Sequence, residues 1–197
     1  MNMGKTRLEA FSDGVLAIII TIMVLELKVP HDKSIQSLQP LIPVFISYIL
    51  SFINIGIYWN NHHHMLHAIH HINGNVMWAN MHLLFWLSII PFATGWMGEN
   101  HFTTWPVALY GAVLFMGGVA YYILSHQLIK LHGKDSTLAT AVGKDQKEIF
   151  SIVIYFIGIL LAFVNGYISL ALYAFVAAMW FIPDKRIEKK LVDKKEM

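Results

Sequence analysis

The sequence contains no cysteine and few charged residues, and both absences narrow the class of protein. Without cysteine there is no disulfide framework and no thiolate metal site. Only 13% of the residues are charged and 56% are hydrophobic, whereas about a quarter of a soluble domain is charged. The long apolar runs do not alternate with polar residues, which excludes a membrane β-barrel and predicts an all-α integral membrane protein. The net charge of +2 is too small to indicate a nucleic-acid-binding protein.

Short polar breaks divide the chain into six predicted transmembrane helices. The predicted ranges are Thr6–Lys28, Leu41–His64, Asn75–Met97, Thr104–Leu131, Lys147–Val164 and Tyr167–Ile182. Pro30 and Pro183 follow the first and last of them, where proline cannot continue a helix. We therefore predict a six-helix transmembrane bundle over residues 1–183 and a charged tail over residues 184–197.

The basic residues indicate how the helices are oriented. With six spans, twelve of the 14 Lys and Arg residues fall on one side, and only Lys28 and Lys33 fall on the other. By the positive-inside rule, both termini and the tail should be cytoplasmic, with the protein in the inner (plasma) membrane. The sequence contains no internal repeat that would indicate an inverted-repeat transporter. It also contains no nucleophile–base set and no phosphate-binding loop, so no enzyme is predicted.

The first apolar run has a polar beginning. Thr6-Arg7-Leu8-Glu9 fits a capping box and predicts that the helix starts at Thr6. Asp13 then lies about two turns inside the helix, and the run from Gly14 to Leu25 contains Thr21 as its one polar side chain. An ionisable residue at membrane depth is costly and marks a functional site. The alternative is that Asp13 lies at the headgroup level, where the helix dipole favours it.

Three motifs in the first half of the chain are shared with a known family. Arg7 precedes Phe11-Ser12-Asp13 at the start of the first helix, Trp59-Asn60-Asn61-His62-His63 ends the second, and Asn80 begins an apolar run to Pro91. This pattern resembles the prokaryotic branch of the endosomal/lysosomal potassium channel family (transmembrane protein 175). Animal members carry the unit twice, whereas here it occurs once. Helices four to six match in number and hydropathy, and the histidines at positions 64, 67, 70 and 71 are not part of the pattern.

The resemblance implies a potassium channel whose first helix lines the pore in a fourfold homo-oligomer. Carried over by position, it implies that Ile18 forms the narrowest ring, with Thr21, Ile22 and Leu25 in neighbouring layers. On a helical wheel these four residues form one stripe, and Asp13 lies about 140° away from it. Without the resemblance, an apolar stripe of this kind is more often a lipid-facing or core surface. One copy of the unit requires a homotetramer to close the pore.

The expected pore has no carbonyl filter, because no TVGYG-like segment occurs. A ring of isoleucines can act as a hydrophobic constriction that gates by dewetting, and a ring of threonine hydroxyls offers oxygens to a dehydrated cation. Modest selectivity among monovalent cations follows from such a lining. The preference for potassium over sodium is implied by the resemblance. No cofactor or resident metal is expected beyond the permeant potassium ion, and the expected partners are the lipid bilayer and three further copies of the chain.

The polar residues of the first helix predict a structural network. The first-helix members are Arg7, Phe11, Ser12 and Asp13, and the predicted partners at the same membrane level are Trp59, Asn61, His62 and Asn80. Arg7 and Asp13 are separated by about 120° on the wheel, so they do not pair within one straight helix. Each should therefore reach another helix, since a desolvated carboxylate needs partners. The alternative is that these residues anchor the helix at the interface.

The histidine run permits three interpretations. His63 with His67, or His67 with His71, has the i,i+4 spacing of a helical metal site, but the run contains no carboxylate. His63, His67, His82 and His126 are candidate haem ligands in a membrane bundle. The histidine run lies where the second helix leaves the membrane, so a hydrated cytoplasmic helix end with pH-dependent charge fits it better than a metal or haem site. This interpretation predicts that pH modulates conduction. The alternatives to a channel are therefore a haem- or metal-binding membrane protein and a proton-coupled cation transporter that uses Asp13.

Overall fold

The structure is a computed structural model that describes residues 3–133, 136, 138–139 and 146–181. Six α-helices account for most of these residues: α1 Met3–Ile22, α2 Ile42–His67, α3 Gly74–Glu99, α4 Thr104–His132, α5 Lys147–Ala162 and α6 Gly166–Phe181. Two 3₁₀ helices, Met23–Glu26 and Ile35–Leu41, extend α1 and precede α2. The predicted tail, residues 184–197, and the helix stop at Pro183 lie outside the described residues. The prediction of an all-helical membrane protein is confirmed.

Four helical segments are long and apolar enough to cross a bilayer. They are Gly4–Glu26, Ile35–His67, Gly74–Glu99 and Thr104–His132. The last two helices, α5 and α6, have 16 residues each, which corresponds to about 24 Å at 1.5 Å per residue and falls short of a hydrocarbon core of about 30 Å. Four of the six predicted spans therefore have the length of a membrane span, whereas α5 and α6 are shorter than typical spans.

The ends of the first helix differ from the prediction. The capping box is wrong, because α1 begins at Met3 and Thr6 lies inside it. The Lys5 ammonium donates to the Ile69 carbonyl at 2.8 Å, and Gly4 packs near Ile72, so contacts with the α2–α3 connection hold the first turn. At the other end the α-helix stops at Ile22 and tightens into the 3₁₀ helix, rather than continuing to Lys28 as predicted.

The centre of the bundle is formed by α3 and α4. In Thr104–His132, 56% of the most apolar stretch of 18 residues is buried inside the bundle, whereas the figure for Gly4–Glu26 is 28%. The first helix therefore lies at the periphery of the single chain. Close approach depends on glycine at one crossing: a side chain at Gly98 of α3 would lie 2.6 Å from the Val44 Cα of α2. The buried face of α1 and its 3₁₀ extension consists of Leu8, Leu16, Ile19 and Met23 and packs on α2 and α3. The opposite face of α1 is uncovered.

Candidate functional site

The four residues predicted to line a pore all lie on the uncovered face of α1 and its 3₁₀ extension. Ile18 is 60% exposed and Leu25 is 74% exposed, and Thr21 and Ile22 are exposed between them. The wheel therefore described their common orientation correctly. Exposure in a single chain is compatible with a pore, a lipid-facing surface or a subunit interface.

The Thr21 hydroxyl has a defined direction of hydrogen bonding. Its oxygen lies 3.0 Å from both the Ala17 and the Ile18 carbonyl oxygens, so the hydroxyl proton is directed back into the helix. Since a hydroxyl has one proton and two lone pairs, the lone pairs point away from the backbone. The uncovered face of α1 therefore presents an oxygen acceptor one turn beyond Ile18.

On the covered side, a buried hydrogen-bonded chain joins three helices. Asn80 of α3 donates to the Ser12 oxygen of α1 at 2.9 Å, and its carbonyl oxygen lies 2.7 Å from His62 Nε2 of α2. Ser12 in turn donates to the Leu8 carbonyl at 2.8 Å. All three side chains are almost fully buried. Because unpaired polar groups are costly in an apolar interior, this chain specifies how α1, α2 and α3 pack together.

A second polar contact surface runs between α1 and α2, and we call it the α1–α2 seam. On α1 it contains Lys5, Glu9 and Asp13, which are spaced four residues apart and so share one face. Lys5 donates to the Ile69 carbonyl, Glu9 lies beside His63 and His67, and Asp13 accepts from Trp59 Nε1 at 3.0 Å. Trp59, His63 and His67 have the same four-residue spacing on α2. The two helices run in opposite directions, so the two series meet turn by turn.

The predicted network includes three residues that the structure does not bring into it. Arg7 and Phe11 are exposed on the same face of α1 as Ile18, and Arg7 makes no hydrogen bond to another described residue. Asn61 donates to the Ile57 carbonyl of its own helix at 2.9 Å. Successive residues of a helix are rotated by about 100°, so a residue next to a buried one in the sequence points in another direction. Phe11 and Asn61, which adjoin the buried Ser12 and His62, therefore do not join the network.

The structure places the histidines of the three sequence interpretations in separate surroundings. The alternative of a His67–His71 pair on one helix face does not fit the structure, because α2 ends at His67 and the His71 ring lies 4.6 Å from the ring of His132. His82 accepts from Trp86 of its own helix, and His126 bonds the Tyr122 carbonyl of its own helix. His63 and His67 do face each other, with ring centroids 4.3 Å apart.

The far end of the first helix is tied to α3. Glu26 lies against Gly95, where an added side chain would come within 2.8 Å of the carboxylate. Lys28 forms an exposed ion pair with Glu99. The hydrogen bond and charge of Glu99 raise the pKa of Lys28. The exposed face of α1 is therefore bounded at both ends by contacts with neighbouring helices.

Comparison with known proteins identifies the family. Residues 7–91 match the model of the endosomal/lysosomal potassium channel TMEM175. A potassium channel of Chryseobacterium sp. (strain P1-3) is 56% identical over 189 residues, covering 96% of this chain and 98% of that protein. The chain belongs to the TMEM175 family.

Two further comparisons extend the similarity of this TMEM175 protein beyond the matched motifs. A potassium channel of Chamaesiphon minutus is 30% identical over 89% of this chain and 92% of its own length. The crystal structure of a lysosomal potassium-selective channel TMEM175 homologue from the same organism has a TM-score of 0.79 at 26% identity, over 90% of this chain and 96% of that one. The resemblance inferred from the first half is confirmed, and the similarity continues through the later helices. TMEM175 is an ion-channel family, so the protein is not an enzyme.

Sequence reasoning missed two polar contacts of α1, those of Glu9 and Lys5. Both belong to the α1–α2 seam, and neither lies inside the histidine run. A signal was available in the spacing: Glu9 and Asp13 on one helix, and Trp59, His63 and His67 on the next, repeat every four residues. When two antiparallel helices both carry polar residues at every fourth position, these residues are expected to contact each other along the full length of the series.

Proposed function

We propose that this TMEM175 protein conducts potassium ions across the plasma membrane through a pore lined by α1 of four identical subunits. The observation that carries the proposal is the spacing of exposed residues on α1. Arg7, Phe11, Gly14, Ile18, Thr21 and Leu25 are all exposed and follow one another at intervals of four and three residues. A repeat of 3.5 residues is the spacing of side chains that face a common axis when helices pack around it.

The composition of this face supports a pore rather than lipid contact. Exposed positions on α3 and α5 carry large apolar side chains, such as Phe85, Phe92 and Phe156. The α1 stripe also carries Phe11, Ile18 and Leu25, but Gly14 and Thr21 lie between them, and small residues let membrane helices approach closely. The relatives from Chryseobacterium and Chamaesiphon are named potassium channels, which supports potassium as the permeant ion.

In the proposed pore, Ile18 forms a hydrophobic constriction. Four isoleucine side chains around one axis exclude water when they close, which is how a dewetting gate works. Thr21 lies about 4.5 Å further along the axis, by the rise of 1.5 Å per residue. Its outward lone pairs can replace water around an ion as it leaves the constriction. Ile22 and Leu25 complete the apolar wall toward the other mouth.

A single copy of α1 cannot enclose a pathway, so the proposal requires an oligomer. Closed cyclic symmetry is the usual solution for identical subunits, and four copies give a pore whose narrowest ring consists of four side chains. In the single chain, α1 contacts α2 and α3 and leaves its stripe uncovered. Contacts between stripes of neighbouring subunits would bury this face.

Six spans with both termini in the cytoplasm complete the proposal. Two contacts support this arrangement, because Lys5 reaches the Ile69 carbonyl and His132 accepts from the His70 backbone. The start of α1, the α2–α3 connection and the end of α4 therefore lie at one end of the bundle, as an even number of crossings between them requires. The shorter α5 and α6 can span if the bilayer thins locally.

The test is the current of purified protein in a planar bilayer under opposed potassium and sodium gradients. We expect discrete openings whose reversal potential lies toward the potassium equilibrium potential, and an altered conductance or selectivity in Ile18→Asn. The matched control is Ile157→Asn, the same substitution at an exposed position of α5. Native mass spectrometry of each variant checks that it is still a tetramer. Currents that respond equally to both substitutions would contradict a pore at α1.

A further inference from the structure

We propose that Glu9, His63 and His67 form a binding site for a divalent transition-metal ion of the zinc class, which joins α1 to α2. The site differs from the proposed pore, because the α1–α2 seam lies on the other side of α1 from Ile18. It also differs from the buried chain through Asn80, since its three side chains reach the surface. The predicted histidine-only site lacked a carboxylate, and α1 supplies one.

The positions of the donor atoms suit an ion. Glu9 Oε1 lies 3.5 Å from His63 Nδ1 and 3.6 Å from His67 Nε2, and all three ligand atoms lie within 4.8 Å of one another. Both separations are too long for good hydrogen bonds, for which about 2.7–3.2 Å is usual. Two ligands bound at about 2.0–2.2 Å in tetrahedral geometry are roughly 3.4 Å apart. Small rotations of the histidine rings would complete the cluster.

The chemistry of the ligands selects the metal. Two imidazoles and one carboxylate suit zinc and its neighbours, whereas calcium and magnesium prefer oxygen ligands alone. Three protein ligands leave a fourth position for water, as in open zinc sites. The side chains of Glu9, His63 and His67 are 19%, 37% and 55% exposed, so in the single chain an ion can reach them without opening the bundle.

Neighbouring residues orient the ligands. The Trp59 ring stacks on the His63 ring at 5.9 Å between centroids, with an angle of 25° between the planes. Trp59 is itself held by its hydrogen bond to Asp13. Lys5, one turn before Glu9, is directed at the Ile69 carbonyl, so its ammonium is engaged away from the carboxylate. Such outer contacts restrict ligand rotation and strengthen metal binding.

The other histidine cluster lacks this arrangement. His132 Nε2 accepts the backbone N–H groups of His70 and His71 at 3.3 and 3.5 Å, and its Nδ1 bonds the Leu128 carbonyl at 3.0 Å. Both ring nitrogens of His132 are therefore occupied by backbone groups. His70 is exposed and lies outside the Glu9 cluster. It provides the matched control, because His70→Gln removes an exposed imidazole three residues after His67 in the chain without removing a proposed ligand.

The test is a zinc titration of the full-length purified protein by isothermal calorimetry, compared among variants. We expect one zinc ion per chain in the unsubstituted protein and in His70→Gln. Affinity should fall by at least roughly tenfold to a hundredfold in Glu9→Gln and His67→Gln, because that is the range for loss of an outer-shell partner and loss of a ligand itself costs no less. Glu9→His should restore binding, because it offers an imidazole in place of the carboxylate. X-ray absorption should report light-atom ligands at about 2.0–2.2 Å and no sulfur shell.

Two results would overturn the site. One is equal zinc affinity in Glu9→Gln, His67→Gln and His70→Gln. The other is loss of binding in His70→Gln, which would move the ion to the other histidine cluster. Size-exclusion chromatography of each variant shows whether it is folded, and Glu9→His shows whether position 9 acts through its ligand atom. Because binding is measured without ion flux, the outcome is independent of whether the chain conducts potassium.

Discussion

Asn80→Ala should be strongly destabilising, and the size of the effect can be worked out from its two contacts. Asn80 is fully buried on α3 and bonds Ser12 of α1 and His62 of α2. Hydrogen bonds between membrane helices contribute on average about 0.6 kcal/mol each and at most about 1.7 kcal/mol. Losing two of them should lower the free energy of unfolding by about 1–3 kcal/mol, which changes the unfolding equilibrium roughly fivefold to more than a hundredfold.

The matched control is Asn61→Ala. Asn61 is also a helical asparagine, but it bonds the carbonyl of Ile57 in its own helix. Because alanine is the better helix former, the loss of this bond should be offset to within about 0.5 kcal/mol. Unfolding of both variants in mixed micelles can be followed by tryptophan fluorescence. Measurements at two protein concentrations distinguish unfolding of the chain from dissociation of subunits. Equal destabilisation of the two variants would refute the role of Asn80 in joining three helices.

Three further predictions address the pore face, the turns and the far end of the first helix. Thr21→Val should lower potassium conductance several-fold in planar bilayers. It should change the free energy of unfolding by less than about 0.5 kcal/mol, because the Thr21 hydroxyl bonds only carbonyl groups of α1. Unchanged current would contradict the place of Thr21 in the pathway. Gly166→Ala should destabilise by about 1–3 kcal/mol in the same unfolding assay, because its Cβ would lie 2.4 Å from the Phe102 carbonyl oxygen. The raised pKa of Lys28 means that any stability from its pair with Glu99 is present below the ordinary lysine value near 10.5 and is lost as pH rises through the raised value. Lys28→Gln should therefore change the free energy of unfolding by the same amount at about pH 6 and at about pH 8. If the two changes differ, a group other than Lys28 titrates between these pH values.

The rotational positions of the α1 residues were predictable from the sequence. Ile18, Thr21, Ile22 and Leu25 share one face, and Asp13 turns toward another helix, as a regular helix of about 100° per residue requires. The partners of Ser12 were harder to predict. Their common membrane level predicts His62 and Asn80 as partners, and the structure links Asn80 directly, and His62 through Asn80, to Ser12 by hydrogen bonds. Asn61 shares that level but lies one residue, and therefore a large rotation, away from His62.

Other features depend on contacts between distant parts of the chain. The start of α1 at Met3 follows from the contact of Lys5 with Ile69, and a local capping pattern cannot report such a contact. The approach of Glu9 to the histidines depends on the crossing of α1 and α2, which helix packing determines. The covered and uncovered sides of α1 could be separated on the wheel. The proposal that the uncovered side faces a pore required the family resemblance.

The central claim is that the uncovered face of α1 lines the ion pathway, and the absence of native cysteine allows a direct test. Ile18→Cys can be exposed to a charged thiol-reactive reagent during recording of single-channel current, with Phe85→Cys on the exposed face of α3 as the control. We predict that the reagent abolishes or reduces potassium current through Ile18→Cys and leaves Phe85→Cys unaffected. Full modification of Ile18→Cys, established by mass spectrometry, with no change in current would contradict a pore lined by α1.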